Sequence, residues 1–89
     1  MKYLIERSRS FKKSFKKLNT GEQELVLKII HRLANDKPLE QKHKDHALKG
    51  EYIGFRECHI KPDLLLIYQK DKHILILTCI DVGSHSKLF

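Results

Sequence analysis

Hydrophobic residues near the start of the chain follow first a strand-like and then a helical spacing. Residues 3–5 form a short apolar run, which predicts a first strand. Phe11, Phe15 and Leu18 then recur at intervals of four and three residues, so they lie on one face of a helix. Four lysines fall on the other faces of this helix: Lys12, Lys13, Lys16 and Lys17. This region therefore predicts a strand followed by a helix with an aromatic face and a basic face.

A wide apolar face indicates a second helix. Thr20 is followed three residues later by Gln23, which fits a capping box and predicts that this helix opens at Thr20. The apolar face of the helix contains Leu25, Val26, Ile29, Ile30 and Leu33. Asn35 and Asp36, with Pro38 shortly after them, predict its end.

The second half of the chain changes to the two-residue period of β-strands. A polar segment, residues 39–46, comes first and predicts a long loop. Residues 52–60 then alternate, and one face of this predicted strand carries Ile53, Phe55, Glu57 and His59. Two further apolar runs, residues 64–68 and 74–80, predict two more strands. The order β-α-α-β-β-β predicts a single α+β domain over residues 1–89, with two N-terminal helices packed on an antiparallel-rich sheet.

Positive charge is concentrated in the first half of the chain. The net charge is +7, from 18 Lys and Arg against 11 Asp and Glu. Residues 1–45 carry twelve Lys and Arg against six acidic residues, whereas residues 46–89 carry six against five. Four of the six histidines fall in the nearly neutral second half. This division is typical of a protein that binds a polyanion with one surface and acts on it with another, although lysines also serve simply to keep small proteins in solution.

Several classes of protein are excluded by composition. No run approaches the ~20 apolar residues of a membrane span, and the N-terminus lacks the apolar core of a signal peptide. Cys58 and Cys79 have no C-x-x-C spacing, which argues against a disulfide scaffold and a cysteine zinc site. We interpret them as small core residues of strands. We therefore expect a cytoplasmic domain with no cofactor and no membrane partner.

Histidine and carboxylate groups are the remaining candidates for chemistry. His46 lies in the polar loop, and Glu57 and His59 are two residues apart on one strand face. Asp63 follows in the next turn, and His85 lies in the C-terminal segment. Because imidazole titrates near neutrality, such groups could take a proton from a ribose 2′-hydroxyl and give one to a departing 5′-oxygen. Two other interpretations remain open, namely a zinc site built from convergent histidines and ordinary surface histidines.

Three blocks of the chain resemble the YafQ-type toxins of the RelE/ParE superfamily. They read D-H-x-L-x-G within residues 44–50, F-R-x-x-H-x-x-P-D within residues 54–63, and G-S-H-x-x-L-F over residues 83–89. The resemblance extends to the length of the chain and to the order of its predicted elements. It implies a RelE-like fold and an mRNA interferase that cleaves messenger RNA on the ribosome.

The resemblance also implies site residues and partners. The matched positions are His46, His59, Asp63 and His85 for the catalytic site, Glu57 for a strand carboxylate found in some relatives, and Phe89 for an aromatic against the substrate. A cognate antitoxin with an acidic or amphipathic segment is expected to silence the toxin, and operator DNA to be bound only through the toxin–antitoxin complex. The basic helix with Lys12–Lys17 is expected to contact RNA backbone.

Two positions depart from the family pattern. Leu64 stands where relatives often have an aromatic residue, and Asp81 stands where an arginine that neutralises the scissile phosphate is usual. We therefore expect Arg56 or Lys49 to supply the missing positive charge and the activity to be weak. The alternatives are a cleavage-impaired RelE-fold protein that binds nucleic acid or a partner, and a ParE-like inhibitor of a topoisomerase.

Overall fold

The computed structural model describes residues 2–89, which form a five-stranded sheet with helices. In chain order the elements are β1 (Leu4–Arg7), α1 (Arg9–Lys16), α2 (Thr20–Ala34), β2 (His46–Ala47), β3 (Arg56–Lys61), β4 (Leu64–Asp71), β5 (Ile76–Gly83) and α3 (His85–Leu88). The predicted order β-α-α-β-β-β is confirmed, with two elements added to it: the short strand β2 and the C-terminal helix α3. No helix of residues 2–89 is long and apolar enough to cross a membrane.

The strands lie in the spatial order β1-β5-β4-β3-β2. β1 pairs with β5 in parallel, and the other three pairings are antiparallel. The predicted α+β class and antiparallel-rich sheet are therefore confirmed. One strand, β4, separates β3 from β5, so the histidine-bearing strand and the C-terminal segment lie within one sheet.

The hydrophobic core lies between the helices and one face of the sheet. It combines Phe11 of α1 and Val26, Ile29, Ile30 and Leu33 of α2 with the buried strand residues Cys58, Ile60, Leu64, Leu66, Tyr68, Leu77, Cys79 and Val82. Glu57 and His59 alternate along β3 with Cys58 and Ile60, so they face away from the helices. The fold therefore leaves the opposite face of the sheet for the polar candidates.

The beginning of α2 differs by one residue from the predicted capping box. Asn19, not Thr20, is the N-cap, because Asn19 has extended dihedral angles (φ −73°, ψ 168°) and Thr20 is already helical. The Asn19 side chain accepts a hydrogen bond from the Glu22 amide at 2.8 Å, and the Glu22 carboxylate accepts one from the Asn19 amide at 3.2 Å. The predicted pair Thr20 and Gln23 is therefore wrong, although the type of cap is right.

Backbone geometry moves the boundaries of two predicted strands. The strand predicted from residue 52 begins at Arg56, because residues 50–52 form a 3₁₀ helix and Gly50 and Gly54 have φ of 67° and 95°. These left-handed angles, which glycine adopts without strain, interrupt the extended chain. The strand predicted from residue 74 likewise begins at Ile76, because Leu75 has a φ of 57° in the turn.

Asp36, which follows the end of α2, forms ion pairs with two other parts of the fold. Its carboxylate accepts a hydrogen bond from Lys2 Nζ at 2.7 Å and another from Lys70 of β4. These hydrogen bonds lower the pKa of Asp36 from 3.8 to about 2. Asp36 is therefore a charged cross-link between α2, β4 and the N-terminus.

Candidate active site

Glu57 lies between two histidines on the sheet face that the helices leave uncovered. β2 pairs with β3 so that His46 stands directly opposite Glu57, and His59 is two residues further along β3. The Glu57 Oε1 atom is 3.8 Å from His46 Nε2 and 3.7 Å from His59 Nε2. The Glu57 side chain is 8 % exposed, compared with 51 % for His46 and 24 % for His59. A shielded carboxylate thus lies between two partly accessible imidazoles.

Main-chain contacts fix the orientation of His46. Its Nδ1 atom lies 2.6 Å from the carbonyl oxygen of Lys44. A carbonyl can only accept a hydrogen bond, so Nδ1 carries a proton and Nε2 is the nitrogen free to exchange one. On the neighbouring loop, His43 Nδ1 similarly donates to the carbonyl oxygen of His59 at 2.6 Å. His46 is thus oriented as a general base or acid, and His43 supports the strand that carries His59.

The C-terminal histidine begins a short helix. Ser84 caps α3, and the amide of His85 donates to the Asp63 carboxylate at 3.4 Å. The Phe89 ring lies 5.2 Å from the His85 ring and packs edge-on against Tyr52, also at 5.2 Å. Asp63 and Phe89 therefore both contact His85.

The register of the sheet sets the separation between His59 on β3 and the end of β5, which leads into α3. His59 pairs with Leu65 on β4, and Leu65 pairs with Gly83 on β5, two residues before His85. Because neighbouring strands are about 4.8 Å apart, Gly83 stands about 10 Å across the sheet from His59. His59 and Gly83 therefore lie on either side of Leu65, which is fully buried.

The structure does not bring the proposed replacement cations to this cluster. Arg56 precedes Glu57 and points to the other face, where its guanidinium is 3.3 Å from the Asp45 carboxylate and donates to the Tyr68 hydroxyl. Lys49 is exposed at the start of the 3₁₀ helix 50–52 and forms no ion pair with any residue of 2–89. The expected compensation by Arg56 therefore has no geometric support.

Asp81 is held by α1. Its Oδ1 atom accepts hydrogen bonds from the Ser14 hydroxyl at 2.7 Å and from the Val82 amide at 2.8 Å. Lys87 of α3 donates from Nζ to the Ser14 hydroxyl at 2.6 Å, and its side chain lies against Gly83, where an added Cβ would meet Lys87 Cδ at 2.9 Å. Asp81, Ser14 and Lys87 thus link β5, α1 and α3.

The remaining substrate-binding candidates lie on α1. Its stripe of Phe11 and Phe15 faces inward with the rings stacked at 5.6 Å, whereas its lysines are exposed: Lys12, Lys13, Lys16 and Lys17. The helix packs against β5, the strand that leads into α3. The contact of α1 with α3 is made by Ser14 and Lys87, whereas these lysines lie on the solvent-exposed faces of α1.

The two cysteines belong to the core. Burial raises the pKa of Cys58 to about 12 and that of Cys79 to about 11. A thiol so hard to ionise is a poor nucleophile, which agrees with their interpretation as packing residues.

Three residues with contacts near the candidate site were not identified from the sequence: Tyr52, Ser14 and Lys87. Tyr52 was placed in a strand, although the 3₁₀ helix brings it to Phe89, and Ser14 and Lys87 meet only through tertiary structure. A signal existed for Lys87 alone, because it lies within the block that carries His85 and Phe89.

Comparisons with known proteins identify the family of this chain. The family model described as "Bacterial toxin of type II toxin-antitoxin system, YafQ" matches residues 3–89. The mRNA interferase toxin YafQ of Escherichia coli strain B / BL21-DE3 is 33 % identical over 88 residues, covering 96 % of this chain and 94 % of the relative. Matches to toxin YafQ of Haemophilus influenzae and of E. coli K12 span 39 % and 58 % of those proteins.

Solved structures show the same fold. A metal-bound toxin from Helicobacter pylori is 43 % identical with a TM-score of 0.86, covering 98 % of this chain and 99 % of that one. A chain of the E. coli DinJ-YafQ toxin-antitoxin complex is 28 % identical with a TM-score of 0.78, covering 100 % and 99 %. The chain belongs to the YafQ family of bacterial toxins of type II toxin–antitoxin systems.

Proposed function

We propose that this protein is an endoribonuclease toxin that cleaves messenger RNA in the ribosome and thereby inhibits translation. A relative that covers nearly the whole chain is an mRNA interferase toxin. The observation that carries the proposal is the shielded Glu57 carboxylate between His46 and His59, with Gly83, two residues before His85, about 10 Å from His59 across the sheet. General acid–base catalysis needs two proton-exchanging groups on either side of the scissile bond.

The reaction is an internal transesterification. A base removes the proton of the ribose 2′-hydroxyl, the 2′-oxygen forms a bond to phosphorus, and the bond from phosphorus to the 5′-oxygen breaks. An acid returns a proton to that oxygen, which leaves a 2′,3′-cyclic phosphate and a 5′-hydroxyl. His46 and His85 share these proton transfers. Glu57 lies between His46 and His59, which assists these transfers, and the Asp63 carboxylate accepts a hydrogen bond from the amide of His85.

Positive charge and an aromatic residue position the RNA. The exposed lysines of α1 attract the phosphate backbone of messenger or ribosomal RNA, an interaction that weakens with salt. Phe89 is 46 % exposed and lies beside His85, where it can stack on a base next to the scissile phosphate.

A cognate antitoxin is the second partner. A YafQ relative forms a toxin–antitoxin complex with DinJ. Because the first half of this chain carries most of the net charge of +7, an acidic or amphipathic antitoxin segment would neutralise it. The setting of both partners, ribosome and antitoxin, is the cytoplasm. Operator DNA is bound through the antitoxin.

Two histidine variants test the proposal. His46→Ala and His85→Ala should each lower cleavage by about 10²–10⁴-fold, because each removes a positioned acid or base. Neither histidine is buried, so the melting temperature should stay close to that of the wild type. Mapping of mRNA ends after expression measures cleavage, and His31→Ala, on the helical side, is the matched control.

The outcomes separate the candidate functions. Growth arrest with new mRNA ends that disappear in both histidine variants supports the ribonuclease. Growth arrest without new ends favours the ParE-like inhibitor, and neither arrest nor ends favours a protein that only binds. Because the H. pylori relative is a metal-bound toxin, a chelator is included. Cleavage by side chains alone should be unchanged by it.

A further inference from the structure

A cation-rich cleft opens beside His59. It encloses about 370 Å³ between the segment after α2 and the end of β3. Its walls are formed by Lys42, His43, Lys44, His59, Ile60, Lys61 and Pro62. Three lysines and two histidines line this space, and no carboxylate does. A concave surface of one charge sign concentrates ligands of the opposite sign.

The lysines of the cleft differ in how far they are neutralised. Lys61 is paired with Glu22 of α2 at 2.9 Å. Lys42 and Glu40 are 3.9 Å apart, and both side chains are at least 70 % exposed, so solvent screens the pair. Lys44 forms no ion pair with any residue of 2–89. Lys42 and Lys44 are therefore available to an anion.

The cleft is continuous with the histidine cluster. His59 lines the cleft and contacts Glu57 at 3.7 Å. The carbonyl oxygen of Lys44 accepts the hydrogen bond that orients His46, at 2.6 Å. The cleft and the cluster therefore share His59, and the main chain of Lys44 connects the cleft to His46.

We infer that this cleft binds the phosphodiester backbone of the RNA next to the scissile bond, a binding subsite that rests on the proposed function. Lys42 and Lys44 contact a flanking phosphate. Pro62 and the aliphatic parts of the lysines contact the adjoining ribose. Because phosphate contacts position the strand and carry no base preference, the subsite holds RNA of any sequence in register with His46 and His59.

A double variant tests the subsite in the full chain. Lys42→Gln is combined with Lys44→Asn, because Lys44 has a left-handed φ of 46° that asparagine tolerates. The main-chain carbonyl that orients His46 is retained. The control is Lys37→Gln with Lys72→Gln, which removes the same charge at a different cleft, beside Asp36. Thermal melts show whether each variant folds.

Binding is measured with a fluorescent 2′-O-methyl RNA, which cannot undergo transesterification, over a series of salt concentrations. Loss of two phosphate contacts should reduce the slope of log affinity against log salt by about 1.4, and the control should leave the slope unchanged. In cleavage assays the cleft variant should raise KM and change kcat little.

The inference is overturned if the cleft variant and the control variant have the same salt dependence of RNA affinity and the same KM. If only antitoxin affinity falls, the cleft serves the protein partner and the RNA assignment is wrong. A wild type that binds the RNA through Lys42 and Lys44 but never cleaves would instead contradict the proposed function and leave the subsite supported.

Discussion

Replacing Asp81 by arginine distinguishes two accounts of this position. If Asp81 faced the scissile phosphate, exchanging its charge for a cation at ~6 Å and an effective dielectric of ~20 would lower the barrier by up to ~6 kcal/mol, or about 10⁴-fold in rate. In the structure, however, its carboxylate accepts a hydrogen bond from Ser14, which is only 5 % exposed. We therefore expect Asp81→Arg to destabilise the protein without accelerating cleavage.

The size of the destabilisation follows from these contacts. A hydrogen bond to a charged acceptor contributes about 1.5–3 kcal/mol, and the arginine would also approach the ammonium of Lys87. For a domain of this length, a loss of about 2 kcal/mol lowers the melting temperature by about 8–16 °C. Asp81→Asn keeps an acceptor oxygen and should lose about half as much.

The destabilisation is measured by urea and thermal unfolding of four variants: Asp81→Arg, Asp81→Asn, Ser14→Ala and the double variant Ser14→Ala/Asp81→Asn. The pair should show a coupling of about 1 kcal/mol, because the two groups share one hydrogen bond. Glu24→Gln, an exposed charge on α2, is the matched control. A tenfold or greater rise in cleavage by Asp81→Arg at unchanged stability would refute the reasoning.

Three further predictions concern stability and reactivity. Because the pKa of Asp36 is lowered to about 2, the ionised carboxylate stabilises the fold fully above about pH 4, and this stabilisation is lost as the pH falls through 2. In urea unfolding, Asp36→Asn should therefore lose less stability than the wild type between pH 4 and pH 2. An equal loss of stability in both proteins would contradict this prediction. Cys58 and Cys79 should react with a thiol reagent at pH 8 only after unfolding, and labelling of the folded protein would show that a thiol is accessible. Arg56→Ala should lower the free energy of unfolding by about 1–3 kcal/mol in urea titrations and change cleavage by less than tenfold; abolished cleavage at retained stability would return Arg56 to the site.

Local patterns predicted the order of the elements and the strand face on which Glu57 and His59 lie. The spacing of Phe11 and Phe15 predicts a helix that is buried on one face. The continuous apolar run from Leu64 predicts a strand that is buried on both faces. Alternation on β3 correctly placed Glu57 and His59 on one face, and the same alternation already put Arg56 on the other. The expectation that Arg56 supplies positive charge to the cluster rested on the charge of its side chain. It did not take into account that Arg56 points to the opposite face of β3 from Glu57.

Features that depend on backbone angles or distant contacts were not predictable. Nothing in the alternation of residues 52–60 indicates that Gly50 and Gly54 adopt left-handed angles and end the strand early. The role of Asp81 depends on Ser14, 67 positions earlier in the chain. The sequence shows that position 81 carries a negative charge. Only the packing of α1 on β5 shows that the Asp81 carboxylate accepts a hydrogen bond from Ser14.

The parallel pairing of β1 with β5 has a consequence for synthesis of the protein. Leu4 pairs with Ile76, so β1 has no partner until the ribosome has made nearly the whole of the sheet. Closing a contact across so many residues is slow compared with forming local ones. β1 therefore joins the sheet only after residue 76 has been synthesised. Until then the nascent chain lacks the complete sheet on which the candidate site is built.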